Sequence, residues 1–138
     1  MNFRVVLDTN IWISGLLLPT SLAGKVLMQW KEARVTLVTS PPLIAEIGKV
    51  LAYPKINKRL GWSWEKIETY LATLRFFTEV IEIGHLDVKV ESDPDDGIIL
   101  ATLIASNADY LVTGDQVLLS YAKDYPVLTL KEFAEKFL

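Results

Sequence analysis

Short apolar runs that stop abruptly alternate along this chain with longer stretches in which apolar residues recur every three or four positions. The first run, Phe3, Val5, Val6 and Leu7, is nearly continuous and ends at Asp8-Thr9-Asn10. A β-branched and aliphatic run of this kind reads as a strand buried on both faces of a parallel sheet, with Asp8 at its C-terminal end. In open α/β sheets that end, near the point where strand order reverses, is where ligands bind. Asp8 is therefore the first candidate site residue.

The remaining pattern alternates helix and strand. Ile11 to Leu18 begins a short helix interrupted near Pro19, and Ser21 and Gly24 lead into a helical run through Trp30. Arg34 to Thr39 reads as a second strand. Ser40-Pro41-Pro42 is a strong helix start, with Ser as N-cap and Pro in the first turn. Leu43, Ile47, Val50 and Leu51 form the apolar stripe of that helix, and Glu46 lies about 40° from Val50 on an ideal wheel. Glu46 thus belongs at the edge of the buried face. Tyr53-Pro54 ends the helix, and a Gly61 break precedes another from Ser63 to about Phe77, with Ile67, Leu71, Leu74 and Phe77 spaced to face a core.

Glu79 to Ile83 is the third expected strand, followed by an acidic loop, Asp87 to Asp93. Pro94-Asp95-Asp96-Gly97 opens an almost wholly apolar helix, Ile98 to Ala108, the mark of a central helix covered on several sides. Asp109 to Thr113 is a fourth strand, broken by Gly114-Asp115. Val117 to Lys123 reads as a short helix, Pro126 to Leu128 as a short strand, and Thr129-Leu-Lys-Glu132 as the capping box of a terminal helix. This order predicts a three-layer α/β/α sandwich around a parallel sheet of about five strands. Residues 1–138 read as a single domain, without linker or repeat.

Composition narrows the chemistry. Hydrophobic residues make up 51% and charged residues 22% of the 138 positions, as in a globular protein. With no Cys and one His, neither a disulfide framework nor a thiolate or histidine zinc site is expected. No apolar run is long enough to span a membrane and no signal pattern is evident, so the expected compartment is the cytoplasm. The net charge of −3 argues against many direct phosphate contacts to duplex DNA. Bound cations, however, can let an acidic site receive phosphates.

Four carboxylates stand at comparable places: Asp8 after the first strand, Glu46 on its helix, Asp96 at the start of the central helix, and Asp115 after the fourth strand. Four ionised carboxylates sharing one crevice need cations, and Mg²⁺ or Mn²⁺ with their preference for oxygen ligands are the natural ones. Such ions would favour phosphodiester hydrolysis. Thr9, Asn10 and Thr113 are placed to orient a ligand or a water. Each acid also has a structural reading: Asp93, Asp95 and Asp96 as helix-start residues, Asp115 as a turn former, and Glu46 as a solvated helix residue.

At these residues the sequence resembles the PIN domain, a nuclease family. The matching pieces are Val-Val-Leu-Asp8-Thr9-Asn10, Pro-Pro-Leu-Ile-Ala-Glu46, Asp93-Pro-Asp-Asp96, and Ala-Asp-Tyr-Leu-Val-Thr113-Gly114-Asp115, which together span almost the whole chain. The resemblance is closest to the toxins of bacterial and archaeal toxin–antitoxin pairs. It implies Mg²⁺- or Mn²⁺-dependent cleavage of single-stranded RNA, with Asp8, Glu46, Asp96 and Asp115 as the catalytic and metal-binding acids, and Asp93 as the alternative third acid. It also implies an antitoxin partner and a homodimer. The alternatives are an RNA-processing PIN nuclease outside toxin–antitoxin systems and a non-catalytic protein-binding module. Phosphoryl transfer through an aspartyl phosphate is disfavoured, because Asn10 stands where that chemistry typically places a second carboxylate.

Outside this set, Lys55, Lys58 and Arg59 with Trp62 and Trp64 could hold a phosphate backbone and stack bases, or form a solvated turn with its tryptophans packed. Arg4 and Lys25 read as surface charges, His85 as a turn residue, and Trp12 as core or dimer interface.

Overall fold

The computed structural model describes residues 2–84 and 94–138; the acidic loop from Asp87 to Asp93 and His85 lie outside the described residues. Five strands, β1 (Phe3–Leu7), β2 (Val35–Thr39), β3 (Glu79–Val80), β4 (Tyr110–Val112) and β5 (Val127–Leu128), form one sheet in the order β3-β2-β1-β4-β5. All four neighbouring pairs are parallel. The chain moves outward from β1 in one direction through β2 to β3, then returns to the other side of β1 for β4 and β5. Right-handed crossovers in opposite directions place their helices on opposite faces, which gives the α/β/α sandwich.

The centre of the sheet explains its apolar sequence. Val5 pairs with Leu37 on one side and Tyr110 on the other, and Val6 with Val38 and Leu111. Val5, Val6, Leu7, Leu37, Val38, Leu111 and Val112 are all fully buried, as expected for strands covered on both faces.

The helices are α1 (Thr9–Leu17), α2 (Leu22–Lys31), α3 (Pro41–Leu51), α4 (Pro54–Leu60), α5 (Trp64–Phe77), α6 (Pro94–Ser106), α7 (Gln116–Leu119), continued by a 3-10 turn over Ser120–Lys123, and α8 (Leu130–Phe137). Their starts follow the sequence closely. Ser21, Ser40, Ser63 and Thr129 each accept a hydrogen bond from the amide three residues on, and Glu132 closes the capping box by accepting from the Thr129 amide. Among the described residues no single helix is long and apolar enough to cross a membrane. The α1 and α2 pair has the length and composition but bends by 94°.

One expectation is extended and three change. Tyr53-Pro54 follows the end of α3 as expected, and Pro54 also begins a further helix, α4, where its fixed φ and missing N–H suit the first turn; Gly61, the expected break, ends it at φ 68°. Phe77 is 65% exposed beside the still more exposed Phe76, and only Ile67, Leu71 and Leu74 of the predicted stripe are buried. The helix ends at Phe77, and its core-facing row ends one turn earlier. The third strand pairs over two residues rather than five. Arg4 is not a free surface charge. Its guanidinium donates to both carboxylate oxygens of Glu79 and to the Ser106 carbonyl at 2.8 Å, which joins β1 to β3 and to the C-terminus of α6.

Trp12 resolves to core: it is fully buried, edge-on to Trp30 with ring centroids 5.4 Å apart.

The α1–α2 corner depends on two glycines. A Cβ on Gly15 would stand 2.6 Å from Leu27 Cδ1, and one on Gly24 would overlap the Pro19 backbone. The Gly15 Cβ would also crowd the Ala23 backbone at 3.0 Å, but the deeper overlap is at Gly24, where the Pro19 backbone cannot move without opening the corner. Gly24→Ala is therefore expected to destabilise the fold by about 1–3 kcal/mol, read as a lower urea midpoint at unchanged m-value; an unchanged midpoint would show that the corner yields freely.

Candidate functional site

The site is built outward from the end of β1. The Asp8 amide donates to Val112 O of β4 at 3.0 Å, which fixes Asp8 between β1 and β4, where the strand order reverses. The residue is only 6% exposed. Asp8 occupies the N-cap position of α1, yet its side chain makes no regular capping hydrogen bond there, in contrast to the capping Ser and Thr residues elsewhere; the Thr9 and Asn10 amides lie near enough only to act on its charge. It accepts instead from the Thr113 hydroxyl at 2.6 Å.

Thr113 follows β4 and is fully buried. The same hydroxyl accepts from the Asp115 amide at 3.0 Å. One side chain therefore ties Asp8 to the backbone of Asp115. Asp115 in turn caps α7, its Oδ1 accepting from Val117 N at 2.8 Å and Leu118 N at 3.2 Å. The turn-forming reading of Asp115 is thus correct as to structure, and one of its carboxylate oxygens is committed.

Two further acids come from helices. Glu46 is half-buried at the edge of the α3 stripe, and Asp96 is buried in the first turn of α6 beside the half-buried Asp95. Asp8, Glu46, Asp95, Asp96 and Asp115 line a single cleft of about 370 Å³, with Thr9 and Asn10 at the start of α1, the apolar Val50, Ile56 and Ile99, and Tyr53 and Lys55. All four acids singled out in the sequence meet there. Asp93 lies outside the described residues. Two larger hollows, of about 550 and 540 Å³, lie elsewhere and gather no comparable set of acids; size alone does not mark this site.

Burial is the first influence on the Asp8 carboxyl and pushes its pKa up. The Thr113 hydrogen bond pulls it down, the charge of Asp115 pushes it up, and the Thr9 and Asn10 amides pull it down. The balance is upward: ionising this carboxyl costs more in the folded protein than for an exposed aspartate.

Among the described residues no three His, Cys, Asp or Glu side chains stand close enough to clasp a metal ion as they are. The donor chemistry nevertheless fits a hard divalent cation: the acids offer only oxygen, they share one cleft, and at least one is raised by burial and a like charge. A cation would offset both influences on Asp8.

Asp95, Tyr53 and Lys55 complete the lining and were not placed in the site by sequence. Asp95 was visible in Pro94-Asp-Asp-Gly97 as a helix-start acid. Tyr53 and Lys55 arrive because α4 begins immediately after α3 and turns back beside the cleft. The tryptophans divide: Trp62 packs at 5.4 Å against Tyr70 with Lys66 Nζ 4.9 Å from its ring centroid, while Trp64 remains 61% exposed.

Comparison with known proteins agrees with this architecture. The PIN domain family model matches residues 4–117. An uncharacterised protein of Methanocaldococcus jannaschii is 31% identical over 147 aligned positions, covering 99% of this chain and 93% of that protein. The fold resembles VapBC-1 of nontypeable Haemophilus influenzae, with a TM-score of 0.61, 16% identity and coverage of 93% and 98% of the two chains. It also resembles VapBC2 of Rickettsia felis, solved with a DNA fragment from its promoter, with a TM-score of 0.59, 16% identity and coverage of 91% and 98%. The PIN domain endonuclease Utp24 aligns with a TM-score of 0.54 and 18% identity over 91% of this chain and 84% of that one. With a family model that runs from β1 into α7 and a relative aligned over nearly its whole length, the chain belongs to the PIN domain family of nucleases.

Proposed function

We propose that this protein is a divalent-metal-dependent endoribonuclease that cleaves single-stranded RNA, with Mg²⁺ or Mn²⁺ held by Asp8, Glu46, Asp96 and Asp115. The observation that carries this reading is the convergence of these four acids, from distant parts of the chain, on one cleft at the strand-order reversal. A bound divalent cation supplies the charge that lets the acids stand together and the activation of water for attack on a phosphodiester. Thr113 holds the Asp8 carboxylate in one orientation, and Asp115 is held by its helix cap. Thr9 and Asn10 border the same cleft and orient what enters it.

The biological role we infer is that of a toxin paired with an antitoxin protein, acting in the cytoplasm as a homodimer. The VapBC complexes among its structural neighbours support this role. Processing of cellular RNA outside such a pair is the alternative within the same chemistry.

Cleavage of a mixed-sequence single-stranded RNA is expected to require Mg²⁺ or Mn²⁺, to cease with chelator, and to fall to the chelated level in Asp8→Asn. Full activity of a purified Asp8→Asn protein would overturn the assignment. Asp115 needs a paired comparison: Asp115→Asn keeps a good cap and should lose activity at nearly unchanged stability, whereas Asp115→Ala should lose activity and about 1 kcal/mol of stability, measured by urea unfolding.

The metal-free fold carries a pH signature. A carboxyl with a raised folded pKa binds its proton more tightly when folded, so its contribution to stability falls as pH rises from the ordinary aspartate value of 3.8 through the raised one. Asp8→Asn removes that loss. In chelator the variant should melt at or above wild type at pH 7, with the difference narrowing toward acid pH. A variant that melts lower at pH 7 would show that the Thr113 hydrogen bond outweighs burial.

A further inference from the structure

We propose that α4 is the track along which a single-stranded RNA backbone approaches the acidic cleft, an inference that rests on the nuclease reading above. Lys55, Lys58 and Arg59 occupy positions i, i+3 and i+4 of this helix and so share one face. All three are exposed, while Ile56 and Leu60, also four apart, are partly buried against the core. The helix is thereby oriented with its cationic stripe outward.

Like charges at this spacing weaken a helix unless a counter-charge is near. Lys55 lines the cleft itself, beside its carboxylates. A stripe of exposed cations that begins at the rim of a candidate phosphodiester-cleaving site is complementary to a polyanion.

The complementarity also answers a difficulty. The chain carries a net charge of −3, and its cleft is lined by acids that repel phosphate. Bound cations would offset that repulsion inside the cleft only, and for the RNA strand leading into it α4, whose Lys55 lines the cleft, offers three exposed cations on one face. Tyr53, 43% exposed and lining the same cleft, adds an aromatic face on which a base can stack.

The test is fluorescence anisotropy with a labelled mixed-sequence single-stranded RNA and the full chain, in chelator so that binding is read without cleavage. Wild type is compared with the triple substitution Lys55→Gln, Lys58→Gln, Arg59→Gln, and with a control of equal charge change, Lys25→Gln, Lys123→Gln, Lys131→Gln. At low salt the α4 triple should bind at least tenfold more weakly, and its log–log salt dependence should be shallower by about 2, since each phosphate contact on a single strand contributes about 0.7. The control should stay within a factor of three of wild type. Equal loss in both triples would reduce the effect to net charge and overturn the track, as would unchanged RNA affinity with loss of an acidic protein partner. Circular dichroism confirms folding of each variant. RNA binding that depends on α4 in a protein that never cleaves would uphold the track and sink the nuclease reading; cleavage with α4-independent binding would do the reverse.

Discussion

The hydrogen bond from the Thr113 hydroxyl to the Asp8 carboxylate joins residues 105 positions apart, and the organisation of the site depends on it. Burying a carboxylate costs several kcal/mol unless its oxygens are satisfied, while a hydrogen bond to a charged group returns about 1.5–3 kcal/mol. One bond therefore offsets part of the cost and leaves the rest, which is why the Asp8 carboxyl still resists ionisation. Because the same hydroxyl accepts from the Asp115 amide, its position is fixed from both sides. Movement of the β4 end would disturb both acids together.

The sheet order makes that bond possible. β1 is central, with β2 on one side and β4 on the other, so the polar residues that terminate β1 and β4 are neighbours although the sequence separates them widely. Glu46 and Asp96 reach the same place by a different route, from the edge of an apolar helical stripe and the first turn of a central helix. Strand ends supply the rigid half of the constellation, and helix surfaces supply the other half. The α1–α2 corner, held tight at Gly24, supports the first element after Asp8.

This division also explains what could be read from residues alone. Strand interiors were legible because burial on both faces demands continuous apolar runs such as Val5-Val6-Leu7, and helix starts because Ser40-Pro-Pro and Thr129 to Glu132 use local chemistry. The four acids were legible because each interrupts or borders such a run. Less legible was α4: it has no buried residue, so its periodicity is weak, and Pro54 serves equally to end one helix and begin the next. Phe77 has the spacing of a core residue but falls where α5 leaves the core. The link from Arg4 to Glu79 was hidden because it crosses from β1 past β2 to β3, a neighbourhood that only the folded sheet creates.

The commitments of the carboxylate oxygens bear on which cation such a cleft would favour. Asp8 has one oxygen accepting from Thr113, and Asp115 has one accepting from the amides that open α7; each such oxygen keeps a further lone pair, so these bonds orient the carboxylates without withdrawing them from a cation. A large cation such as Ca²⁺ takes six to eight oxygen ligands and makes frequent use of bidentate carboxylates, whereas Mg²⁺ is content with one or two carboxylates and retains several waters. Oriented carboxylates bordering a cleft of about 370 Å³ suit a cation that needs only one or two of them and keeps its own waters. The same bonds that position Asp8 and Asp115 thus set oxygen ligands in place for the divalent cation of the proposed mechanism.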